Sequence, residues 1–437
     1  MFDTDILAQI RARFAHVEEC PFQGPRIFFE NAGGALTLKS VVETSATFAA
    51  IPDNQGRANP AAEALMSVIA DAKDAARVFL NAPEGQIIVG ESGTELLFRL
   101  IRTAITGQGR GVVLGSTVEH PATRSACAHW ADKLALDHRL IPHDAARGLV
   151  TVEAYAAAVT PDVSVATILH TSPVTGMGMD LAKIAAAIRA TAPDALIIVD
   201  GIQHACHGSI DIAAAGVDGY VISPYKVFSR HGYGLAWVGD RLTALGPEQL
   251  RGGPDRNWEF GTRDTGAYAT FADVVAYFDW LGGQVTGEGG AATRPPAAAS
   301  PRGISGTKAE GPRRHRIEAA ARAIHDHEAA LTDAMLHGTG NLAGLADLPG
   351  VTVIGGVDNP AREGLVCFWH DRIPAEEIVA RLNAEGIRTH TRKADHYSGN
   401  ILDPLGQPAA VRVSLAHYNT SDEVARFLSV MAGMLKG

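Results

Sequence analysis

Lys226 stands directly after Ser223-Pro224-Tyr225, behind an apolar run that starts at Gly219. A lysine where a buried strand turns is uncommon, because its ammonium is costly to desolvate. By itself the tetrapeptide reads equally as a surface loop. Asp200 ends Leu196-Ile197-Ile198-Val199, the most hydrophobic strand-like run of the chain. A carboxylate there either caps a helix or serves a site, since open α/β sheets bind ligands at the carboxyl ends of their strands. Together the two residues supply what pyridoxal 5'-phosphate chemistry needs. An amine forms an imine with the aldehyde, and a carboxylate pairs with the pyridine nitrogen so that the ring stays protonated.

Two further segments suit the same ligand. Gly90-Glu91-Ser92-Gly93-Thr94-Glu95 lies between a strand and a helix, and its amides with the Thr94 hydroxyl suit a phosphate at a helix N-terminus. Many N-caps look the same. Glu119-His120-Pro121-Ala122 is a second strand-to-helix turn, in which His120 is either a polar loop residue or a partner that stacks on the pyridine ring. The four cysteines, Cys20, Cys127, Cys206 and Cys367, form no Cys-x-x-Cys pair, so no metal site is expected and free thiols are the simplest state.

The elements that must carry these residues alternate from about Arg26 to Trp237. Strands are predicted at Gln86–Val89, Gly111–Leu114, Val165–His170, Leu196–Asp200, Gly219–Ser223 and Gly234–Val238. Helices are predicted at Glu95–Thr103, Ala122–Leu134 and Leu181–Arg189. This βαβα rhythm implies an α/β fold with a mostly parallel sheet covered on both faces. Gly282 to Arg313, rich in Gly, Pro and Ala, reads as a linker or a lid. A smaller α+β domain follows, closing on a helix from Ser421, read as its N-cap, to Leu435. The resulting organisation is 1–25, an N-terminal segment packing on the small domain; 26–281, the large domain; 282–314, a flexible linker; and 315–437, the small domain.

The 437 residues carry a formal charge of −10, with 46% hydrophobic and 20% charged residues. That balance belongs to a globular chain and favours neither nucleic acid nor an anionic membrane surface. No apolar run approaches the roughly 18 residues of a membrane span, and Met1 to Phe14 lacks the pattern of a secretory signal. A cytoplasmic protein is expected.

The motifs Glu91-Ser92-Gly93-Thr94-Glu95, Glu119-His120-Pro121-Ala122, Val199 to Gln203, Ser223 to Lys226, Phe260-Gly261-Thr262 and Arg412 to Val424, in that order, resemble class V aminotransferase-fold enzymes. That group includes cysteine desulfurases, selenocysteine lyases, kynureninases and isopenicillin-N epimerase-like proteins. His204 to Gly208, Ser398-Gly399-Asn400 and His417 to Thr420 look most like a cysteine desulfurase-like branch, and Gly261 to Asp264 like the epimerase-like one. The resemblance implies the fold type I architecture of pyridoxal phosphate enzymes, with a seven-stranded type of sheet in the large domain, and a homodimer with its active sites at the subunit interface. It implies that Lys226 holds the cofactor and later moves the α-proton. Asp200 would pair with the pyridinium, His120 stack on the ring, and Gln203 sit near its phenolic oxygen. Ser92, Gly93, Thr94 and Ser223 would hold the phosphate, with Thr262 reaching in from a second subunit. Arg412 would bind the substrate carboxylate, and Asn31, Gly33 and Gly34 would line the substrate side.

Two departures qualify the resemblance. Where desulfurases place an asparagine against the cofactor, this chain has Pro173, leaving Ser172 or Thr175 to replace that contact. Desulfurases that pass sulfur on also carry a mobile cysteine shortly before the Arg412 motif, and Arg388 to His396 contains none. That basic segment is either a solvated turn or a partner for an anionic substrate side chain. Cys206 reads as a packed small residue. A lyase acting at Cβ or on a C–S bond is therefore favoured. An aminotransferase and an epimerase, which share the first proton abstraction, are the alternatives, and a non-catalytic binding protein stands last.

Overall fold

The computed structural model describes residues 1–288 and 310–436. Its large domain is built on a seven-stranded sheet: β1 (Gln86–Gly90), β2 (Val112–Ser116), β3 (Asp137–Ile141), β4 (Val163–Leu169), β5 (Leu196–Asp200), β6 (Gly219–Ile222) and β7 (Gly234–Val238). The spatial order is β1-β7-β6-β5-β4-β2-β3. Only β7 runs against its neighbours, so the carboxyl ends of the other six strands share one edge. The central strands β5 and β6 are buried along their whole length, which explains why they read as unbroken aliphatic runs rather than alternating ones.

The predicted strands and helices all form, with ends shifted by a few residues. The larger correction concerns the linker. Helix Thr265–Thr286 runs through Gly282 and Gly283, and the next helix, Glu310–His337, begins before the predicted linker ends. Residues 289–309 of the predicted linker lie outside the described residues. Gly282 is a contact residue rather than a breaker: a Cβ there would lie 1.9 Å from the Arg316 carbonyl oxygen, so glycine lets the two helices touch.

The small domain holds a four-stranded antiparallel sheet of β8 (Val351–Val353), β9 (Leu365–His370), β10 (His390–Lys393) and β11 (Ala409–Ser414), ordered β8-β9-β11-β10. One face, with Val366, Phe368, Val411 and Val413, packs into a separate core with Phe427 and Met431 of the last helix. The other face carries Cys367 opposite Arg412 and is continuous with the core of the large domain. The last helix spans Ser421–Lys436, but its N-cap is Thr420 rather than Ser421. Thr420 Oγ1 accepts from the Glu423 amide at 3.1 Å, and Glu423 Oε2 accepts from the Thr420 amide at 3.1 Å. This reciprocal box satisfies two orphan groups at once.

The N-terminal segment joins both domains. Arg11 of helix Thr4–Arg13 donates to the Tyr418 carbonyl at 2.7 Å and pairs with Glu423 at 3.1 Å. Ile10 and Phe14 are buried in the large core, where Phe14 meets Phe228 edge-on. Ile27–Phe28 then pairs in parallel with Ile387–Arg388 before the chain crosses to the Lys226 turn.

Candidate active site

Five loops converge beyond the shared sheet edge. They follow β1 (Ser92 to Thr94), β2 (Glu119 and His120), β4 (Pro173), β5 (Ile202 and Gln203) and β6 (Ser223 to Lys226). One pocket is lined by Thr94, His120, Leu169, Pro173, Asp200, Ile202, Gln203, Ser223, Tyr225 and Lys226.

At one end of the pocket, helix Gly93–Gln108 presents its N-terminus. Ser92 caps it, its Oγ accepting from the Glu95 amide at 3.0 Å. The amides of Gly93 and Thr94 at this open end have no intrahelical acceptor. A Cβ on Gly93 would fall 2.3 Å from Ser223 Oγ and 2.7 Å from Ile202 Cδ1. The missing side chain leaves a cradle of amides and hydroxyls suited to a phosphate. Ser92 thus serves through its cap, while Gly93, Thr94 and Ser223 border the cradle.

Lys226 is buried, and its Nζ donates to Gln203 Oε1 at 3.2 Å. Burial, and then the neighbouring Arg412, pull its pKa down to about 8, against the opposing pull of Asp200. Asp200 is also buried. Its Oδ1 accepts from the Ile202 amide at 3.1 Å and its Oδ2 from Thr123 at 3.4 Å. Burial pushes its pKa up to about 6, an effect limited by the Ile202 amide, Lys226 and Thr123. His120 caps helix Pro121–Lys133 through Nδ1, which accepts from the Ala122 amide at 3.2 Å. Burial, Lys226, Arg392 and Arg124 hold its pKa down at about 3, so the imidazole stays neutral.

Arg412 is buried, with Nη1 donating to the Pro173 carbonyl at 3.1 Å while its Nε finds no acceptor. No carboxylate lies within 4.0 Å of its guanidinium among the described residues. A buried cation lacking an anion is a binding site for one. Gly33 comes close, a Cβ there lying 3.5 Å from Arg412 Nη2, and Gly34 packs on Tyr225.

The structure does not bring every expected residue to the pocket. Asn31 spends its amide on framework bonds: Nδ2 donates to the Ser414 carbonyl at 2.8 Å, and Oδ1 accepts from the Tyr418 hydroxyl. Ser172 and Thr175, the expected substitutes for the asparagine of desulfurases, both bond within their own stretch of chain or its neighbour. Ser172 Oγ accepts from the Val174 and Thr175 amides, and Thr175 Oγ1 donates to the Gly148 carbonyl. Both hydroxyls close their own turn, and Pro173 with Leu169 makes this wall apolar. Thr262 is exposed, outside the pocket lining.

Residues without an assigned role also shape the site. Tyr225 lines the pocket and stacks on His231 with ring centroids 4.3 Å apart. Behind Gln203, its Nε2 bonds His207 Nε2 at 3.1 Å, and His207 Nδ1 bonds Glu328 Oε2 at 2.6 Å. His207 was visible only as part of a motif, and Glu328 carried no signal because it lies 121 residues away.

The family model "Aminotransferase class-V" matches residues 27–265 and 316–427. The chain belongs to the aminotransferase class-V family. Among its class-V relatives, a probable cysteine desulfurase of Xylella fastidiosa is 25% identical over 98% of this chain and 95% of that protein. One of Pseudomonas putida is 28% identical over 82% and 80%. The fold matches the apo cysteine desulfurase of Thermococcus onnurineus NA1 with a TM-score of 0.80 and 18% identity, covering all of both chains. It also matches a structure described as a NifS-like protein with a TM-score of 0.74 and 18% identity, over 94% of this chain and 99% of that one. Class-V proteins are pyridoxal-phosphate enzymes of fold type I, and the cradle, the buried amine and the buried carboxylate of this chain fit that cofactor.

Proposed function

We propose that this chain is a pyridoxal-phosphate lyase that removes a substituent from Cβ of an amino acid. The observation that carries the reading is one pocket lined by Lys226 and Asp200, with the Gly93 cradle at one end and Arg412, which lacks a carboxylate partner, bonded to the Pro173 carbonyl of its wall. Bound there, the cofactor supplies an aldehyde that captures amines and a protonated ring that withdraws electrons from Cα. The chain's own residues do the rest. Gly93, Thr94 and Ser223 would hold the phosphate, and Asp200 would keep the ring nitrogen protonated. Arg412 fixes the substrate carboxylate. Lys226, with its pKa near 8, exchanges the α-proton close to neutral pH.

The cysteine inventory supports direct loss of the Cβ group over transfer of sulfur to the protein. Residues 388–408 contain no cysteine. Cys127, Cys206 and Cys367 are buried, and burial raises the pKa of Cys127 and takes that of Cys367 to about 11. None of these three offers an accessible thiolate, and Cys20, partly exposed with its thiol pKa lowered by the Phe22 and Gln23 amides, is not part of the pocket lining. Transamination and epimerisation remain the competing outcomes because they share the proton abstraction. The reading includes a cytoplasmic homodimer in which the exposed Thr262 enters the other subunit's site.

Purified protein loaded with pyridoxal phosphate and offered single amino acids tests this reading. A lyase releases a 2-oxo acid and ammonia together with the Cβ leaving group, which is sulfide from cysteine. Solvent deuterium at Cα without net conversion, or a 2-oxo acid with the side chain intact, would replace the lyase by an epimerase or an aminotransferase. Lys226→Ala should lose the visible band and turnover together, and a variant retaining full turnover refutes the assignment.

A further inference from the structure

The segment 388–396 places a second arginine beside Arg412. In the antiparallel pairing of β10 with β11, His390 lies opposite Arg412 and Arg392 opposite Ala410. Side chains two residues apart share a sheet face, so Arg392 and Arg412 are diagonal neighbours on the face turned to the large domain. Three other basic residues of the segment lie beside carboxylates. Arg388 meets Glu30 Oε2 at 3.0 Å, His390 meets Glu30 Oε1 at 3.3 Å, and Lys393 lies 3.8 Å from Glu376.

Arg392 differs. Its Nε donates to Ser398 Oγ at 2.8 Å, and Nη2 donates to the same oxygen. No carboxylate lies within 4.0 Å of it among the described residues. Ser398 is fully buried. A neutral hydroxyl therefore fixes the guanidinium in place, as the Pro173 carbonyl does for Arg412, and the nearest carboxylates, Asp395 for Arg392 and Glu30 for Arg412, act only from beyond ion-pair distance. The charge reaches the pocket: Arg392 is among the groups that disfavour protonation of His120, Lys226 and Arg412. Two fixed guanidiniums without carboxylate partners on one face match a substrate with two anionic groups.

We propose that Arg392 is a specificity-determining residue that binds an oxyanion on the substrate side chain, so that this enzyme selects acidic amino acids. The inference rests on the functional reading above, in which Arg412 takes the α-carboxylate. A charge-assisted hydrogen bond of about 1.5–3 kcal/mol corresponds to about tenfold or more in affinity.

The test titrates the full-length, cofactor-loaded protein with near-isosteric pairs and follows the cofactor band at equilibrium. The pairs are aspartate with asparagine and glutamate with glutamine. Cysteine sulfinate and O-phosphoserine distinguish a sulfinate or phosphate from a carboxylate. Wild type should bind the best acid about tenfold or more tighter than its neutral counterpart. Arg392→Gln should bring each pair within about twofold while still binding alanine, and Arg392→Lys, which keeps the charge without the fork, should fall between. If Arg392→Gln fails to fold, Arg392→Lys and Ser398→Ala, which frees the guanidinium, carry the test, each with a reduced acid preference expected. Wild type binding amides as well as acids, or variants that keep the full preference, overturns the inference alone. A band that no amino acid moves overturns the functional reading with it.

Discussion

At the residue scale, the site depends on two buried groups, Lys226 and Asp200, whose pKa values burial moves in opposite directions. Burial favours the neutral lysine and the neutral aspartic acid, while the attraction between their charged forms opposes it. The sign for cofactor uptake follows from the amine. Condensation with an aldehyde needs the neutral form, which dominates above the folded-state pKa of about 8 rather than above the ordinary 10.5. We therefore expect the rate at which cofactor-free protein takes up pyridoxal phosphate to rise with pH and level off just above 8. In Asp200→Asn the carboxylate no longer supports the ammonium, so the midpoint should fall below 8 while cofactor affinity drops. Stopped-flow absorbance across pH 6 to 10 reads both effects. A midpoint near 10 in wild type would contradict the buried setting of Lys226.

Elements act by delivering backbone groups to points where no side chain would fit. Gly93 opens its helix against Ser223, and the methyl of Gly93→Ala would occupy the cradle. Alanine suits a helix start, so the fold should survive. Cofactor affinity should fall about tenfold or more, the equivalent of one charge-assisted hydrogen bond. Equilibrium dialysis beside a thermal melt separates the two effects. The capping box at Thr420 makes the complementary case, in which the role is structural. Thr420→Ala should cost about 1 kcal/mol of stability and leave cofactor binding intact, read as a lower melting temperature with an unchanged band. Motif order located both helix starts in the sequence. It did not distinguish Ser421 from Thr420, because adjacent hydroxyls offer the same capping chemistry and only the backbone turn selects one.

At the scale of the whole molecule, the two domains meet directly behind Lys226. Gln203 and His207 belong to the turn after β5, whereas Glu328 comes from the long helix leading into the small domain. Only about 2% of either side chain of the His207–Glu328 pair is exposed. Removing one partner strands the other in the interior, at a cost of about 3–5 kcal/mol. Glu328→Ala should lower the melting temperature by several degrees and, by releasing Gln203, shift the pH midpoint of cofactor uptake. A stability loss with no movement of that midpoint would restrict the pair to a structural role.

The sequence by itself determined the elements and the pocket's chemistry. Both follow from local signals: aliphatic runs for doubly covered strands, a carboxylate and an amine at strand ends, and a glycine at a helix start. Tertiary structure decided which polar groups remain free. Asn31 and Thr175 have the right chemistry, yet neighbouring carbonyls consume it. Arg392 and Arg412 keep their charges because hydroxyl and carbonyl oxygens, not carboxylates, lie within their reach. Gly282 resembled a linker until the partner helix showed what it touches. Availability for binding is a balance of hydrogen bonds across segments far apart in the chain, and no local pattern encodes that balance.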